Sequence, residues 1–448
     1  MDLTRRAGEE LEAGAVLIAG VARTASGVRL LAREVAWVPP EAYLQRRHDG
    51  LTITSNGYVP ALARAEALGS AAIWLHTHPG VDADPSPSRH DDVVDTELAE
   101  TFKIRTGRDL YGSLVISPAR KHFAFTGRGH DLDEPFRIDR TLIVGDRLDL
   151  VTARDIEAAR ELPLIFDRQV RAFGGEVQEV LAQLRVSIVG CGGTGSAVAE
   201  QLVRLGVRSL TLVDHDTLSD TNVTRVYGSF PDQVGKSKTE VLGEHLRRIA
   251  PDLQLRTYSA SVLDQAVARA IAASDVIFGC TDDNAGRLVL SRVAAYYLAT
   301  LIDCGVLITS HDGTIEGIDG RVTVQSPGAA CLVCRHRIDM ARAAAEVLDP
   351  EERQLREDEG YAPELGRVEP AVVTFTTLVA SHAVTELLER LVGFGPEPVP
   401  TELLLRSHER EISTNVAAPV PGHFCDPTSG LLGTGDSEPF LGQLWRSP

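Results

Sequence analysis

Lysine is almost missing from this chain. Four occur in 448 residues against 41 arginines, and acidic residues outnumber basic ones to leave a formal net charge of −18. A balance of that sign argues against the basic face that nucleic acid or an anionic lipid surface requires, so partners are expected among proteins and nucleotides. Long apolar runs are lacking too. None approaches the ~20 residues that span a bilayer, and the opening stretch MDLTRRAGEELEAG is charged and helix-like, without the apolar centre of a signal peptide. The expected setting is cytoplasmic, with no membrane contact. Six cysteines, two of them as Cys331-x-x-Cys334, are too few and too scattered for a disulfide scaffold. In a reducing compartment that pair reads as metal ligands. Internal repeats and low-complexity tracts are absent.

What is present is 43% apolar content over 448 residues, enough for two cores, so two domains and a tail are expected. Over 1–150 the pattern runs helix, strands AVLIAGV and VRLLAREVAWV, a helix from Tyr58 to Leu68, the strand AAIWLH, a helix after Ser88 and the strand LYGSLVIS. That is a mixed α/β domain. A helical connector is expected over 151–164. From 165 to 395 the strands RVSIVG, SLTLVD, DVIFGC and TLIDCGV alternate with helical stretches, the pattern of a Rossmann-like, doubly wound parallel sheet. The fold class is α/β throughout. Residues 396–448, rich in proline and glycine, read as a partly irregular tail.

VSIVGCGGTGS sets Gly190, Gly192, Gly193 and Gly195 between a buried strand and the start of a helix. Glycines let the backbone turn tightly and approach phosphate, and the helix N-terminus offers N–H donors. Asp214 follows at the end of the next strand, where a carboxylate accepts bonds from ribose hydroxyls. NAD and ATP fit this equally. The crossover beyond it carries Asp216, Asn222, Arg225 and Lys238, and with them two of the four lysines. A triphosphate and its Mg²⁺ need several cations and a carboxylate, because attack on the α-phosphate is catalysed mostly by positioning and charge neutralisation. Asp282, in FGCTDDN, is the candidate for the metal. GKS in this stretch is not a Walker loop, since Gly228 lies too far upstream and no strand leads into it.

In order along roughly 165–395, FDRQVRAFG, GCGGTGS, VDHD, NVTR, VGKSK, CTDDN and CLVC resemble the ThiF/MoeB family, adenylating folds shared with ubiquitin-activating enzymes. The resemblance implies that Gly193 and its neighbours bind ATP, that Asp214 holds the ribose, and that Asn222, Arg225 and Lys238 contact the phosphates. Asp282 then serves Mg²⁺ and the adenylation step. It also implies that Arg168 reaches into a partner subunit's nucleotide site, hence a homodimer. The family reaction is attack by a protein's C-terminal glycine carboxylate on ATP, giving an acyl-adenylate and pyrophosphate. Members that pass their substrate on as a thioester carry a cysteine beyond the Cys-x-x-Cys, and none lies between Cys334 and Cys425 here. The adenylate is therefore expected to go directly to a sulfur donor, an amine or an external thiol such as that of an E2-like enzyme. The family's structural zinc takes two Cys-x-x-Cys pairs. With only CLVC present, Cys331 and Cys334 would be completed by His423 and Cys425 of GHFCDP, since zinc wants four N or S ligands. Cys191, Cys280 and Cys304 sit in apolar strand contexts and read as small core residues.

In the first domain, AAIWLHTHP reads as a buried strand whose His76 and His78 share a face, ended by Pro79. Two imidazoles on one face can share a metal. Ser88 with Asp91 three residues on is also the pattern of a capping box. Both hold together if the helix start faces the strand end, making Asp91 a third ligand and leaving the fourth zinc position to water. A general base is then needed from elsewhere. Glu12 is the choice, with Glu9, Glu10 and Glu34 as rivals. Over roughly 1–130 this arrangement resembles the JAMM/MPN (JAB) metalloisopeptidases. The resemblance implies that His76, His78 and Asp91 hold a catalytic Zn²⁺, that Glu12 takes a proton from water, and that Ser88 steadies the tetrahedral oxyanion.

Together these expectations describe a bifunctional enzyme acting on the C-terminal glycine of a ubiquitin-like or sulfur-carrier protein. One domain trims or deconjugates after the glycine and the other adenylates it. Two other classes stay open: an assembly module with one inactive domain, and a Rossmann oxidoreductase using NAD.

Overall fold

The computed structural model describes residues 2–80, 85–119, 121–153, 163–358 and 370–445. The chain divides into two compact units: Met1–Ile143, Asp149–Glu161 and Gly433–Ser437 in the first, Val144–Leu148, Leu162–Leu432 and Glu438–Pro448 in the second.

The first unit is built on a six-stranded sheet, in the order Gly27–Trp37, Gly14–Thr24, Ala71–Thr77, Leu110–Pro118, Phe123–Asp131, Glu134–Ile138. Neighbours are antiparallel except Ala71–Thr77 and Leu110–Pro118, which run parallel and are joined through the helix Arg89–Thr106. Every residue of Ala71–Thr77 is buried, which is why its sequence is apolar without alternation. Trp74 packs with Leu62 of the helix Val59–Ala67 and Phe102 of Arg89–Thr106, whereas Leu75 faces a second cluster with Ile116 and Phe125. By alternation along the strand, His76 lies on the helix-covered face.

The second unit carries an eight-stranded sheet, in the order Gln254–Tyr258, Ser209–Val213, Arg185–Val189, Val276–Gly279, Thr300–His311, Thr314–Gln325, Glu402–Arg406, Glu411–Asn415. The first five are parallel. The chain winds outward from Arg185–Val189 and then returns to Val276–Gly279 on its other side, so a topological switch point lies between those two strands. Ligands of open α/β sheets bind outside the strand carboxyl ends at such a point. No helix among the described residues is long and apolar enough to cross a membrane.

Two expectations are corrected. The sheet is mixed rather than wholly parallel: its last three pairings are antiparallel. In the stretch 396–448, largely irregular among the described residues, Glu402–Arg406 and Glu411–Asn415 form a hairpin that extends the sheet and that the sequence did not reveal. Prolines at 396, 398, 400, 419 and 421 flank these strands without interrupting them, so composition masked the hairpin. Finally, Val151 and Thr152, expected in the connector, end the strand Leu148–Thr152, where β-branched residues favour extension. Residues 154–162 of that connector lie outside the described ones.

Candidate nucleotide and metal sites

At the switch point the strand Arg185–Val189 runs into Gly190, whose φ of 92° is in the left-handed region. A Cβ there would overlap the Cys280 carbonyl, and one at Gly195 would overlap the Gly190 carbonyl. The loop therefore closes onto the neighbouring strand end only with glycine at both positions. Gly192 precedes the helix Gly193–Leu205 as its N-cap. Asp214, 8% exposed, ends the next strand. Its Oδ2 accepts the Cys191 N–H at 2.6 Å and its Oδ1 accepts the Asp216 N–H at 2.8 Å. Lys238 opens the helix Lys238–Ile249 and donates from Nζ to Asp216 Oδ2 at 2.6 Å. Burial pushes the Asp216 carboxyl up, and the Lys238 ammonium holds it below its ordinary value.

Asn222 is buried, and its Oδ1 accepts the Ser219 N–H at 3.2 Å. Arg225 donates to the Thr221 carbonyl at 2.8 Å. Its side-chain stem lies 3.3 Å from where a Cβ of Gly193 would stand, so a cation flanks the helix start. Asp282 is exposed, three residues beyond the strand Val276–Gly279. Its neighbour Asp283 is committed to capping the helix Asn284–Tyr296, through the Gly286 N–H. Arg168 is exposed on the helix Asp167–Phe173, beside the exposed Leu164 and Ile165. Among the described residues, no hydrogen bond or ion pair joins it to the glycine-rich loop. Thr376, with Oγ1 3.0 Å from a Gly193 Cβ position, also borders the helix start. It carries no motif that could have marked it in the sequence.

In the first unit His76 Nε2 and His78 Nε2 stand 3.1 Å apart. Asp91 Oδ1 is 3.4 Å from the first and Asp91 Oδ2 3.8 Å from the second. Glu12 Oε1 is 3.9 Å from His78 Nε2. Among its rivals, Glu9 pairs with Arg46, Glu34 pairs with Arg64, and Glu10 is exposed. The Glu12 backbone is pinned by the turn that follows Tyr43–Arg46: its N–H donates to the Arg47 carbonyl and its carbonyl accepts from Arg46 Nε at 2.7 Å. Sequence spacing gave no sign of that turn's part. Burial raises the Glu12 carboxyl to about 7, with the charge on Asp91 adding to the rise and His76 opposing it. Burial also pushes Asp91 up, yet His76 and the Ser88 N–H hold it well below the usual carboxylate range. Burial, then His76, lowers His78, favouring the neutral imidazole that metals bind.

Ser88 and Asp91 do form a capping box. Ser88 N–H donates to Asp91 Oδ2 at 2.6 Å, and Asp91 N–H donates to Ser88 Oγ at 3.2 Å. One nitrogen from each of two histidines and a carboxylate oxygen thus lie within 4.8 Å of one another. That donor set suits zinc with one position left open.

The second cluster joins Cys331, Cys334, His423 and Cys425. Each sulfur lies 3.4 Å from His423 Nδ1, and Cys334 lies 3.6 Å from Cys425. A zinc tetrahedron has edges of about 3.6 Å between N and S and about 3.8 Å between two sulfurs, so the four atoms fit the ion. A hydrogen bond from Cys425 and the nearby His423 draw the Cys331 thiol down, against burial. Asp426, unmarked by motif, ties this turn by accepting the Gly422 N–H at 2.7 Å. Cys191 and Cys304 are buried and Cys280 half-buried.

Comparison with known proteins places residues 166–420 in a match to the ThiF family. The ubiquitin-like modifier-activating enzyme 5 of Oryza sativa subsp. japonica is 28% identical over 231 residues, covering 48% of this chain and 50% of that one. The molybdopterin-synthase adenylyltransferase of Escherichia coli (strain K12) is 32% identical over 179 residues, covering 39% and 68%. The chain thus spans about half the length of the first relative and about two thirds of the second. Among solved structures, E. coli MccB with ATP is 18% identical at a TM-score of 0.45, over 58% of this chain and 73% of that one.

Proposed function

The chain belongs to the ThiF family, and from that premise we propose that its second unit transfers AMP from ATP to the C-terminal glycine carboxylate of a ubiquitin-like or sulfur-carrier protein. The observation that carries this reading is the closed loop Gly190–Gly195 with Asp214 and the Lys238–Asp216 pair at its rim. A carboxylate oxygen attacks the α-phosphorus, the bond to the bridging oxygen of pyrophosphate breaks, and pyrophosphate leaves. Loop N–H groups and the helix Gly193–Leu205 receive phosphate, and Asp214 takes the ribose. Arg225 and Lys238 neutralise charge, and Asn222 lines the same crossover. Asp282 would hold Mg²⁺, which adds charge neutralisation at the phosphates. The names of the two relatives support an adenylating role. Arg168, exposed beside Leu164 and Ile165, suits a homodimer in which it serves the partner's site. The activated carrier passes to a sulfur donor, an amine or an external thiol of an E2-like enzyme, in a cytoplasmic setting.

The first unit, over about 1–150, is read as a JAMM-like metallopeptidase acting on the same tail. His76, His78 and Asp91 would hold Zn²⁺, which supplies an acidified water and a polarised carbonyl. Glu12, its carboxyl raised to about 7, is suited to take the proton. Ser88, the N-cap of the helix Arg89–Thr106, would steady the tetrahedral oxyanion. Cys331, Cys334, His423 and Cys425 form a structural zinc site. Cleavage after glycine would then expose the carboxylate that the second unit activates.

The test uses a panel of ubiquitin-fold carriers ending in Gly-Gly, each supplied trimmed and with a short C-terminal extension. Trimmed carrier should support exchange of labelled pyrophosphate into ATP, and extended carrier should do so only while His76 and Asp91 are intact. Exchange with extended carrier by the His76→Ala variant would remove the coupling, and absence of exchange with every carrier would remove the adenylation.

A further inference from the structure

We propose that Asp95 sets where Asp91 stands, as a positioning residue of the His76–His78–Asp91 cluster; this rests on the metal-binding reading of that cluster. The Ser88 capping box orients the Asp91 carboxylate within its own helix turn. Those bonds travel with the helix, so they do not determine how far Asp91 stands from the histidines. That distance depends on what joins the first turns of Arg89–Thr106 to the sheet.

Asp95 makes that join, one turn after Asp91. Its Oδ1 accepts the Tyr111 hydroxyl at 2.9 Å, and its Oδ2 accepts the Ser113 hydroxyl at 2.8 Å and an Arg128 N–H at 3.0 Å. Arg128 also reaches Asp92, bracing the same turn. The Asp95 side chain is 15% exposed. All three partners lie on strands of the sheet that carries the histidines: Ser113 pairs with Trp74 on one side and Arg128 on the other, and Val115 pairs with His76.

The two spacings match. From Val115 back to Ser113 is two strand residues, about 6.6 Å, and from Asp91 to Asp95 is four helix residues, about 6 Å. Asp91 therefore faces His76 while Asp95 faces Ser113, and a slide of the helix along the sheet would break both contacts at once. Carboxylates beside metal sites are themselves held by hydrogen bonds, and here the hold acts through the helix.

Cobalt(II) titration of the whole 448-residue chain, stripped of metal by chelator, tests this in the visible spectrum. Asp95→Ala should weaken cobalt binding at the histidine cluster by about 10- to 100-fold and shift its d–d bands. The thiolate-to-cobalt bands of Cys331, Cys334 and Cys425, in the second unit, should stay unchanged, and a shift rather than a loss of the d–d bands distinguishes a displaced Asp91 from an unfolded first unit. Tyr111→Phe, removing one of the three bonds, should move both readouts in the same direction by less, and it carries the test should Asp95→Ala not fold. Wild-type affinity and spectrum in either variant would overturn the role of Asp95 alone. If His76→Ala removed no cobalt from the otherwise unaltered chain, the role would fall together with the reading of the cluster.

Discussion

Lys238, one of four lysines in the chain, is 8% exposed and stands 2.6 Å from Asp216 at a helix start beside the glycine-rich loop. On the proposed reading its cation faces the phosphates, and Lys238→Ala should lower ATP–pyrophosphate exchange by on the order of 100-fold, the usual loss when one aimed donor is removed. The melting temperature measured in parallel should change little. Glu402 offers a pH-dependent counterpart. Burial alone would raise its carboxyl, yet Arg337 at 2.8 Å, with Asn415 and Thr323, holds it at about 2. The native value lies below the ordinary 4.5, so its contribution is complete above about pH 4.5 and fades as pH falls through 2. That difference is worth at most about 3 kcal/mol, less some screening at the part-exposed Arg337. Urea unfolding should find Glu402→Gln destabilised at pH 7 and close to wild type near pH 2; an equal gap at both would contradict this. At this scale the sequence was readable where neighbouring residues carry the chemistry, as in His76-x-His78 or Ser88-x-x-Asp91. It was silent on Glu402, Asp95 and Thr376, whose partners are distant along the chain.

Each site stands at the end of an element, and the turn that follows decides its shape. Gly195 lies in the first turn of Gly193–Leu205, where a Cβ would overlap the Gly190 carbonyl. Gly195→Ala should therefore push the helix off the loop, cost about 1–3 kcal/mol, and abolish the stabilisation expected of Mg-ATP on the wild type in thermal melts. An unchanged ATP shift would show that the loop does not receive phosphate. Apolar runs and glycine punctuation were enough to mark the buried strands and this strand-to-helix turn, because both are local signals. The hairpin Glu402–Arg406 and Glu411–Asn415 was hidden by the prolines around it, and the antiparallel part of the sheet by its dependence on pairing between distant segments. The second cysteine cluster was half visible: CLVC stands out, but whether His423 and Cys425 close the set depends on where the chain folds back.

On the proposed reading, the whole molecule carries two metal-binding constellations and one nucleotide crevice in a single chain. Elemental analysis should find two zincs per chain, one lost in a His76→Ala, Asp91→Ala variant and the other in Cys331→Ser. Zinc unaffected by the first variant would leave HTHP and SRHD as a strand and a capped helix. The central claim is that the chain activates a carrier's C-terminal glycine at the expense of ATP. Its most direct test is the incorporation of labelled pyrophosphate into ATP in the presence of a ubiquitin-fold carrier ending in Gly-Gly, with NADH and ATP compared in thermal melts of the same preparation. The expected result is carrier-dependent exchange that is lost in Lys238→Ala, and a melting shift with Mg-ATP alone. No exchange with any carrier, together with stabilisation by NADH but not ATP, would contradict it.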